Sequence, residues 1–383
     1  MKILHFSDTH LGFSDLDILN EDNINQREAD FYDAFSQVIS LIEKEKPDFV
    51  IHTGDLFHRS SPTNRAITFA LEMFKRIDIL NIPIILIAGN HSTPRTNLSS
   101  PILKIFETFS NIYLSYEQSY KKFSFKNIIF HAIPHINDEN KALEAIDLCE
   151  ENINMSQKNI LLMHCSVGAH YLMEEFGEWV FPKDKEYLFE KLDYVALGHW
   201  HGFSKVKKYD NVYYSGSTER TSMNDKRNNK GFAIITLDDK NKTQSSALFK
   251  LPDVVFHPIN IRPIILKSID CSVYESSLIS LDSSDTKDAI VELTLQNLSP
   301  LQSIEIENIT LKQLFPEALH IVIKREFVNT NNSEEFIDIE SLSLEESFLE
   351  YIKEDSNDEE FLLLKSKIES LFAEYEELDD DTI

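Results

Sequence analysis

Cysteine is scarce in this sequence. The 383 residues include three cysteines, Cys149, Cys165 and Cys271, an odd number at wide spacing. They form neither the paired framework of a disulfide-rich protein nor the close pairs of a zinc-binding motif. This usage indicates a reducing compartment.

Long apolar runs are also missing. No stretch approaches the roughly 20 apolar residues that cross a bilayer. The N-terminus enters a predicted strand at once and reaches charged residues by Asp8, so we expect no signal peptide. Hydrophobic residues nevertheless make up 42% of the chain, a value typical of a folded globular protein. We therefore expect a soluble, cytoplasmic protein with one large domain and a smaller one.

Basic residues are outnumbered by acidic ones. The chain has 37 Lys and Arg against 64 Asp and Glu, a net charge of −27, which argues against strong binding of nucleic acid. The charge is uneven, because residues 331–383 contain 19 acidic and 3 basic side chains and so carry −16 of the total. A local basic surface is still possible elsewhere, but a partner is expected to supply much of any affinity for nucleic acid.

The first two-thirds of the chain alternates predicted strands and helices. Arg27–Lys46 has apolar residues at helical spacing and stops at Pro47, and Pro62–Leu80 is a second predicted helix with Pro62 near its first turn. The predicted strands are Ile3–Phe6, Phe49–Ile51, Ile84–Ala88, Ile160–Met163 and Tyr194–Leu197. This alternation predicts an α/β fold in which helices cover largely parallel or mixed sheets.

The pattern changes after about residue 202 and again near residue 263. Short strands are predicted at Val212–Tyr214, Phe232–Thr236 and Ser246–Lys250. Residues 264–330 should form a small α+β domain with strands at Ala289–Leu295, Ser303–Ile306 and Leu319–Lys324 and a short helix at Leu311–Leu314.

The last fifty residues are predicted to form two amphipathic helices on an acidic background. The first apolar stripe is Leu342, Leu344, Phe348, Leu349 and Ile352, and the second is Phe361, Leu364, Ile368, Leu371, Phe372 and Tyr375. The pair could pack on its own domain or dock a partner, and the surplus of large apolar groups favours docking.

Five motifs with metal-binding side chains follow predicted strands. They are Asp8-Thr9-His10, Gly54-Asp55, Gly89-Asn90-His91, His164 and Gly198-His199-Trp200-His201. Alone, Asp8 could be a turn carboxylate and His164 a satisfied strand-end residue. Together they favour a metal site, because polar groups that converge at strand ends are costly unless an ion neutralises them. Carboxylates, an amide oxygen and imidazoles suit two divalent cations that share a carboxylate and act on a phosphate ester.

These motifs resemble those of the metallophosphoesterase family, and further segments resemble its SbcD-like double-strand-break-repair nucleases. The additional segments are Gly54–His58 followed by Pro62, Arg27–Phe31 leading into Ala34-Phe35, His164 continuing into Val167-Gly168, and Tyr214–Arg220 preceding Lys230–Phe232. The implied fold is a metallophosphoesterase sandwich of mixed sheets layered with helices, with a small α+β capping domain and C-terminal amphipathic helices. The implied domains are a nuclease domain at 1–262, a capping, DNA-binding domain at 263–330 and a partner-docking segment at 331–383.

The resemblance also implies the residues of a two-metal centre. One ion would be held by Asp8, His10, Asp55 and His201, and the other by Asp55, Asn90, His164 and His199, with Asp55 bridging. The ligands suit Mn²⁺, with zinc and iron as alternatives. His91 would protonate or stabilise the departing 3′ oxygen, and His58 would position the phosphate. The family usually has an acidic residue where this chain has Ser92. Such a carboxylate would orient His91 and raise its pKa, so its absence puts the efficiency of His91 as an acid in question, but not the metal site.

Several basic residues follow the motifs. Arg59, Arg65, Arg95, Arg220, Lys226 and Arg227 could contact DNA phosphates or be ordinary surface charges. As substrate-binding residues we predict Arg59, Arg95, Ser217 and Arg220. His5 and His52 lie within predicted strands and are expected to be buried.

The implied function is that of a Mn²⁺-dependent DNA nuclease, the catalytic subunit of an SbcCD-like complex. It would act as a 3′→5′ exonuclease and a single-strand endonuclease. Its partners would be DNA, an SbcC-like coiled-coil ATPase bound by the C-terminal helices, and a second copy of the chain. Two alternatives are a phosphodiesterase for nucleotides or other small esters and a non-catalytic scaffold.

Overall fold

The structure is a computed structural model that describes residues 1–94, 100–173, 178–223, 225, 229–238, 251–306, 308–328 and 365. Most of the first 267 residues, with 282–292 and 312–322, form one compact unit, and residues 268–281, 293–311 and the described residues from 323 form a second. The predicted boundaries at 262/263 and 330/331 stay predictions. The C-terminal helix pair predicted within 331–383 lies outside the described residues, apart from Lys365.

The first sheet of the large unit has six strands. These are β1 (Lys2–Phe6), β2 (Phe49–His52), β3 (Ile84–Ile87), β4 (Ile112–Ser115), β11 (Gly231–Thr236) and β12 (Asp253–Pro258), in the order β12-β11-β1-β2-β3-β4. Strands β1 to β4 are parallel, whereas β11 is antiparallel to β1. The ends of β1, β2 and β3 therefore meet at one edge, as the sequence predicted.

The second sheet also has six strands. These are β5 (Lys121–Phe125), β6 (Ile128–Ile133), β7 (Lys158–His164), β8 (Tyr194–Gly198), β9 (Ser204–Lys205) and β10 (Val212–Tyr214), in the order β5-β6-β7-β8-β10-β9. One buried cluster joins alternate residues of the two sheets, namely Ile3, Ile51, Ile85, Phe130, Leu162 and Ala196 among others. The sheets thus face each other, which confirms the predicted sandwich.

Helices cover the outer faces of both sheets. Helices α1 (Gln26–Glu45) and α2 (Asn64–Asp78) pack on the first sheet, and α3 (Glu139–Glu151) packs on the second. Asn25 caps α1 with its side-chain oxygen, and Thr63 caps α2, so Pro62 precedes that helix and does not lie in its first turn. The order of layers is helix, sheet, sheet, helix, and the predicted α/β class is confirmed.

The remaining described elements form a three-stranded sheet with short helices. Its strands are β13 (Ile264–Asp270), β14 (Ile290–Leu298) and β15 (His320–Phe327), in that order, and the helices are α4 (Tyr274–Ile279), α5 (Pro300–Glu305) and α6 (Asn308–Lys312). The strand predicted at Ser303–Ile306 is wrong, because Ser299 and Gln302 form a reciprocal capping box that starts a helix at Pro300. The strand predicted at Ser246–Lys250 lies outside the described residues.

None of the helices described is both long and apolar enough to cross a membrane.

Candidate metal centre

The predicted ligands come together where strands of the two sheets end. Asp8 and His10 follow β1, Asp55 follows β2 and Asn90 follows β3, while His164 ends β7 and His199 and His201 follow β8. The sheets meet at this point, because Nε2 of His164 lies 3.2 Å from Oδ2 of Asp55. The sandwich therefore gathers residues from seven positions spread over almost 200 residues of sequence.

One group of possible ligands consists of Asp8, His10 and His201. Their nearest donor atoms all lie within 4.8 Å of one another, and Nε2 of His10 is 3.2 Å from Nε2 of His201. Burial lowers the pKa of His10 well below its ordinary value, so its ring is neutral, the form that binds metal. Nδ1 of His10 is buried without a hydrogen-bond partner among the described residues.

A second group consists of Asp8, Asp55 and His164, again within 4.8 Å of one another. Nε2 of His164 also lies 2.9 Å from Oδ1 of Asn90. Burial by itself would lower the pKa of His164, but Asp55 and Asp8 raise it to about 9. Two buried carboxylates are stable at this point only beside a positive charge. A protonated His164 supplies that charge, and a bound metal ion can replace the proton.

Asp55 has contacts toward both groups. Burial alone would raise its pKa, but the charge and hydrogen bond of His164, followed by the charge of His91, hold it well below the ordinary value. Oδ1 of Asp55 also accepts a hydrogen bond from the main-chain N–H of His91 at 3.0 Å. The oxygen, carboxamide and imidazole donors are of the types that hold divalent transition metals, so these residues fit a two-metal centre.

The backbone at this centre adopts an unusual conformation. Asp8, His10, Asp55 and His199 have φ values of 51°, 42°, 53° and 93°, in the left-handed region that side-chain-bearing residues seldom occupy. Main-chain hydrogen bonds hold the loops, from Asp8 N to Gly54 O at 3.0 Å and from His10 N to Asp55 O at 3.0 Å. Such strain concentrates at functional sites, where the surrounding structure fixes it.

Three glycines precede ligand positions because no side chain fits there. A Cβ on Gly54 would lie 2.2 Å from Nδ1 of His164, and one on Gly89 would lie 2.3 Å from Oδ1 of Asp55. A Cβ on Gly198 would lie 2.1 Å from the carbonyl oxygen of Thr53. The sequence marks these glycines as parts of motifs, but their steric role was not predicted from it.

His58 and His91 lie beside the first group. Their rings stack with centroids 5.3 Å apart, and the His91 ring is 4.9 Å from that of His10. Nitrogens of His10, His58 and His91 also lie within 4.8 Å of one another. The two residues predicted to act on the phosphate are therefore next to the predicted ligands.

Two carboxylates that no sequence motif singled out contact two of the histidines predicted to bind metal. Oε1 of Glu178 lies 3.0 Å from Nε2 of His199, and Oδ2 of Asp225 lies 3.3 Å from Nδ1 of His201. Neither belongs to a recognisable motif, so only their position in the fold identifies them.

The four predicted substrate-binding residues lie in different surroundings. Arg59 is exposed at the end of the Asp55 loop, and Arg95 lies outside the described residues, as do Lys226 and Arg227.

Ser217 is fully buried, and its hydroxyl accepts from Nζ of Lys230 and donates to the carbonyl of Glu219. Nη1 of Arg220 donates to the carbonyl of Arg262 at 3.0 Å. Their contacts with substrate stay predictions.

The remaining histidines of the predicted strands lie inside the protein. His5 contacts the hydroxyls of Tyr194 and Thr53 at 3.0 Å each, and His52 contacts the Thr9 hydroxyl at 3.2 Å. Burial lowers the pKa of both rings to about 3. The expectation that they are buried is confirmed.

Comparisons with known proteins show the family of this chain. Residues 1–203 match the family described as calcineurin-like phosphoesterase. The DNA double-strand break repair protein Mre11 of Methanococcus maripaludis is 31% identical over 94% of this chain and 93% of its own length. The SbcD component of the nuclease SbcCD from Staphylococcus saprophyticus is 27% identical over 89% of this chain and 90% of its own length. Among solved structures, a dimetal phosphatase from Danio rerio covers 67% of this chain and 98% of its own, at 11% identity and a TM-score of 0.37.

Proposed function

This chain belongs to the calcineurin-like phosphoesterase family, where its relatives over nearly the whole length are Mre11 and SbcD proteins, and we propose that it cleaves DNA. Its likeness to these relatives over nearly the whole length makes it a metal-dependent phosphodiester hydrolase. We assign DNA as the substrate because these relatives are a DNA double-strand break repair protein and a nuclease subunit. The observation that most supports the proposal is the convergence of Asp8, Asp55 and His164 within 4.8 Å, with Asn90 2.9 Å from the same imidazole.

Two Mn²⁺ ions are the proposed cofactors. Asp8, His10, Asp55 and His201 would hold one ion, and Asp55, Asn90, His164 and His199 the other. Support comes from the closeness of Asp55 to His164 and of His10 to His201, both 3.2 Å between polar atoms. When bound, such ions polarise the phosphate and lower the pKa of a coordinated water toward neutrality. Carboxylate and carboxamide oxygens suit manganese, whereas imidazoles also suit zinc and iron, so those two metals are the alternatives.

His91 is the proposed acid for the leaving group. Its Nδ1 lies 2.8 Å from the main-chain carbonyl oxygen of His58, which accepts from the Nδ1–H tautomer, so Nε2 is the nitrogen that would face the substrate. A protonated Nε2 would give its proton to the departing 3′ oxygen, and the stacked ring of His58 would position the phosphate. Arg59, Arg95, Ser217 and Arg220 are the proposed further contacts with substrate.

The full assembly is proposed from the same relatives. It would contain DNA, an SbcC-like ATPase bound by the acidic helices of 331–383, and a second copy of this chain, with residues 263–330 capping the DNA. The products would be those of a 3′→5′ exonuclease on duplex ends and of an endonuclease on single strands.

A nuclease assay on the purified chain tests the proposal. With Mn²⁺, a 5′-labelled duplex should be shortened from its 3′ end, and a chelator should stop the reaction. Asp55→Asn should abolish cleavage, while Asp48→Asn, which changes an exposed carboxylate just before the same strand, should not. Hydrolysis of bis-p-nitrophenyl phosphate without cleavage of DNA would favour a phosphodiesterase for small esters. Metal binding without turnover of either compound would favour a scaffold.

A further inference from the structure

Three of the histidines predicted to bind metal each use one ring nitrogen to contact a residue that is not a predicted ligand. Nδ1 of His164 lies 2.8 Å from the carbonyl oxygen of Thr53, and Nε2 of His199 lies 3.0 Å from Oε1 of Glu178. Nδ1 of His201 lies 3.0 Å from the Thr221 hydroxyl and 3.3 Å from Oδ2 of Asp225. Each contact engages one nitrogen, so the nitrogen that would bind a metal is Nε2 in His164 and His201 and Nδ1 in His199.

Glu178 is itself fixed by several donors. Its Oε1 accepts from the Ser166 hydroxyl and from the main-chain N–H of Met173 at 2.9 Å, in addition to His199. These three donors hold the carboxylate in one place, and its side chain is only 10% exposed.

Asp225 is fixed by a buried ammonium group. Nζ of Lys230 lies 3.3 Å from Oδ2 of Asp225 and donates to the carbonyl oxygen of His201 at 2.9 Å and to the Ser217 hydroxyl at 2.8 Å. The side chain of Lys230 is 0% exposed. Lys230 thus holds the main chain of His201 and, through Asp225, its imidazole.

We propose that Glu178 and Asp225 are positioning residues, each dedicated to one metal of the pair. Glu178 orients His199 toward the second metal, and Asp225, held by Lys230, orients His201 toward the first. The inference rests on the proposed two-metal function. It adds a division of labour, meaning that each carboxylate supports one metal site only. The two carboxylates lie on different loops, contact different histidines and are held by different donors.

An anionic acceptor does more for a ligand than a neutral one. It fixes the tautomer and ring orientation and makes the coordinating nitrogen a stronger donor, and its loss typically weakens metal binding by about 10–100-fold. Thr221 is the nearer acceptor of His201 but carries no charge, so it can orient the ring without strengthening the donor. The larger effect is therefore assigned to Asp225.

Crossed variants test the division of labour. His201→Ala should leave only the second site occupied, and His199→Ala only the first. In isothermal titration with Mn²⁺, Glu178→Gln should weaken binding by about 10–100-fold in the His201→Ala protein and by less than about threefold in the His199→Ala protein. Asp225→Asn should show the opposite pattern. Electron paramagnetic resonance of the bound Mn²⁺ should change in the same two combinations only.

Controls separate positioning from folding. Glu186→Gln removes another buried carboxylate, one that accepts from Tyr209 and Lys208 in a different part of the sandwich, and it should leave both ions unaffected. The metal-free melting temperature of each variant reports its fold. If Glu178→Gln does not fold, Ser166→Ala is the substitute and should weaken Mn²⁺ binding at the second site by a smaller factor. If Asp225→Asn does not fold, Lys230→Met is the substitute and should weaken Mn²⁺ binding at the first site by a smaller factor.

The outcomes distinguish the division of labour from the proposed function. The division of labour would be overturned if either variant weakened Mn²⁺ binding equally at both sites, or if neither variant weakened it at all. Either result would leave the two-metal centre intact. A wild-type chain that binds no Mn²⁺ would instead overturn the proposed function itself.

Discussion

Nδ1 of His91 lies 2.8 Å from the main-chain carbonyl oxygen of His58. The family usually provides an acidic residue after the histidine, and this chain has Ser92 there. The Ser92 hydroxyl is buried and has no hydrogen-bond partner among the described residues. The orientation of His91 therefore comes from the loop after β2, and the missing carboxylate does not leave the ring unsupported.

His91→Ala should slow DNA cleavage by about 10²–10⁴-fold, the usual effect of removing a positioned general acid. Both metals and DNA affinity should be kept, because none of the proposed ligands is changed. Single-turnover cleavage and metal titration measure the two effects separately. Ser92→Ala is the matched control and should keep the rate within about twofold, since it removes a hydroxyl that makes no hydrogen bond in the described structure. Loss of metal in His91→Ala would make His91 a ligand or a support.

Asp55→Ala should lower occupancy at both metal sites, because both proposed ligand sets include this carboxylate. Asn90→Ala should lower occupancy at one site only, since Asn90 belongs to the set around His164. Elemental analysis of the purified variants gives the number of ions per chain. Two ions retained in Asp55→Ala, together with near-normal turnover, would show that Asp55 does not bridge.

Gly89→Ala should disrupt the centre by contact alone, because its Cβ would lie 2.3 Å from Oδ1 of Asp55. We expect loss of nuclease activity and weaker Mn²⁺ binding in a chain that still folds. Gly168→Ala is the contrasting variant: its Cβ meets nothing within 4 Å, but its φ of 78° strains any side-chain-bearing residue. It should lower the melting temperature and keep the metals. The idea fails if Gly89→Ala binds Mn²⁺ as the wild type does.

Asp30→Ala should destabilise the fold by about 3–5 kcal/mol, the usual cost of removing one member of a buried ion pair. Arg262 donates to both oxygens of Asp30, at 2.8 and 2.7 Å, and Arg27 donates at 2.7 Å. The Arg27 side chain is only 6% exposed. Urea unfolding measures the change. Glu43→Ala breaks a far more exposed pair with Arg76 and should cost less than about 1 kcal/mol; equal effects would contradict this account.

Deleting residues 333–383 should leave a folded, metal-loaded core with basal nuclease activity that no longer binds its ATPase partner. The sequence places Phe348, Leu349, Ile352, Leu364, Ile368 and Phe372 on strongly acidic segments. Burial of each such group contributes roughly 1.5–3 kcal/mol, enough for tight docking if several act together. Pull-down with the purified ATPase and circular dichroism of the truncated chain are the measurements. Undiminished binding, or an unfolded core, would mean that the segment packs within the chain.

The sequence by itself determined the elements and the chemistry of their ends. Continuous apolar runs of strand length and apolar residues at helical spacing report burial directly, so the sequence predicts α1 and the strands leading to Asp8, Asp55, Asn90 and His164 close to their observed bounds. The side chains after those strands indicate the predicted metal donors, because carboxylates, carboxamides and imidazoles can be recognised from residue type alone.

Only the tertiary structure decided which distant residues support that set. Glu178 and His199 are 21 residues apart and Asp225 and His201 are 24 apart, and no periodicity links such pairs. The capping box that starts the helix Pro300–Glu305, where the sequence predicted a strand at Ser303–Ile306, depends on a side-chain hydrogen bond that competes with strand propensity. The close approach of Gly89 to Asp55 arises because two parallel strands end side by side. Contacts of this kind follow from the packing of the sandwich, which brings strand ends together regardless of their separation in sequence.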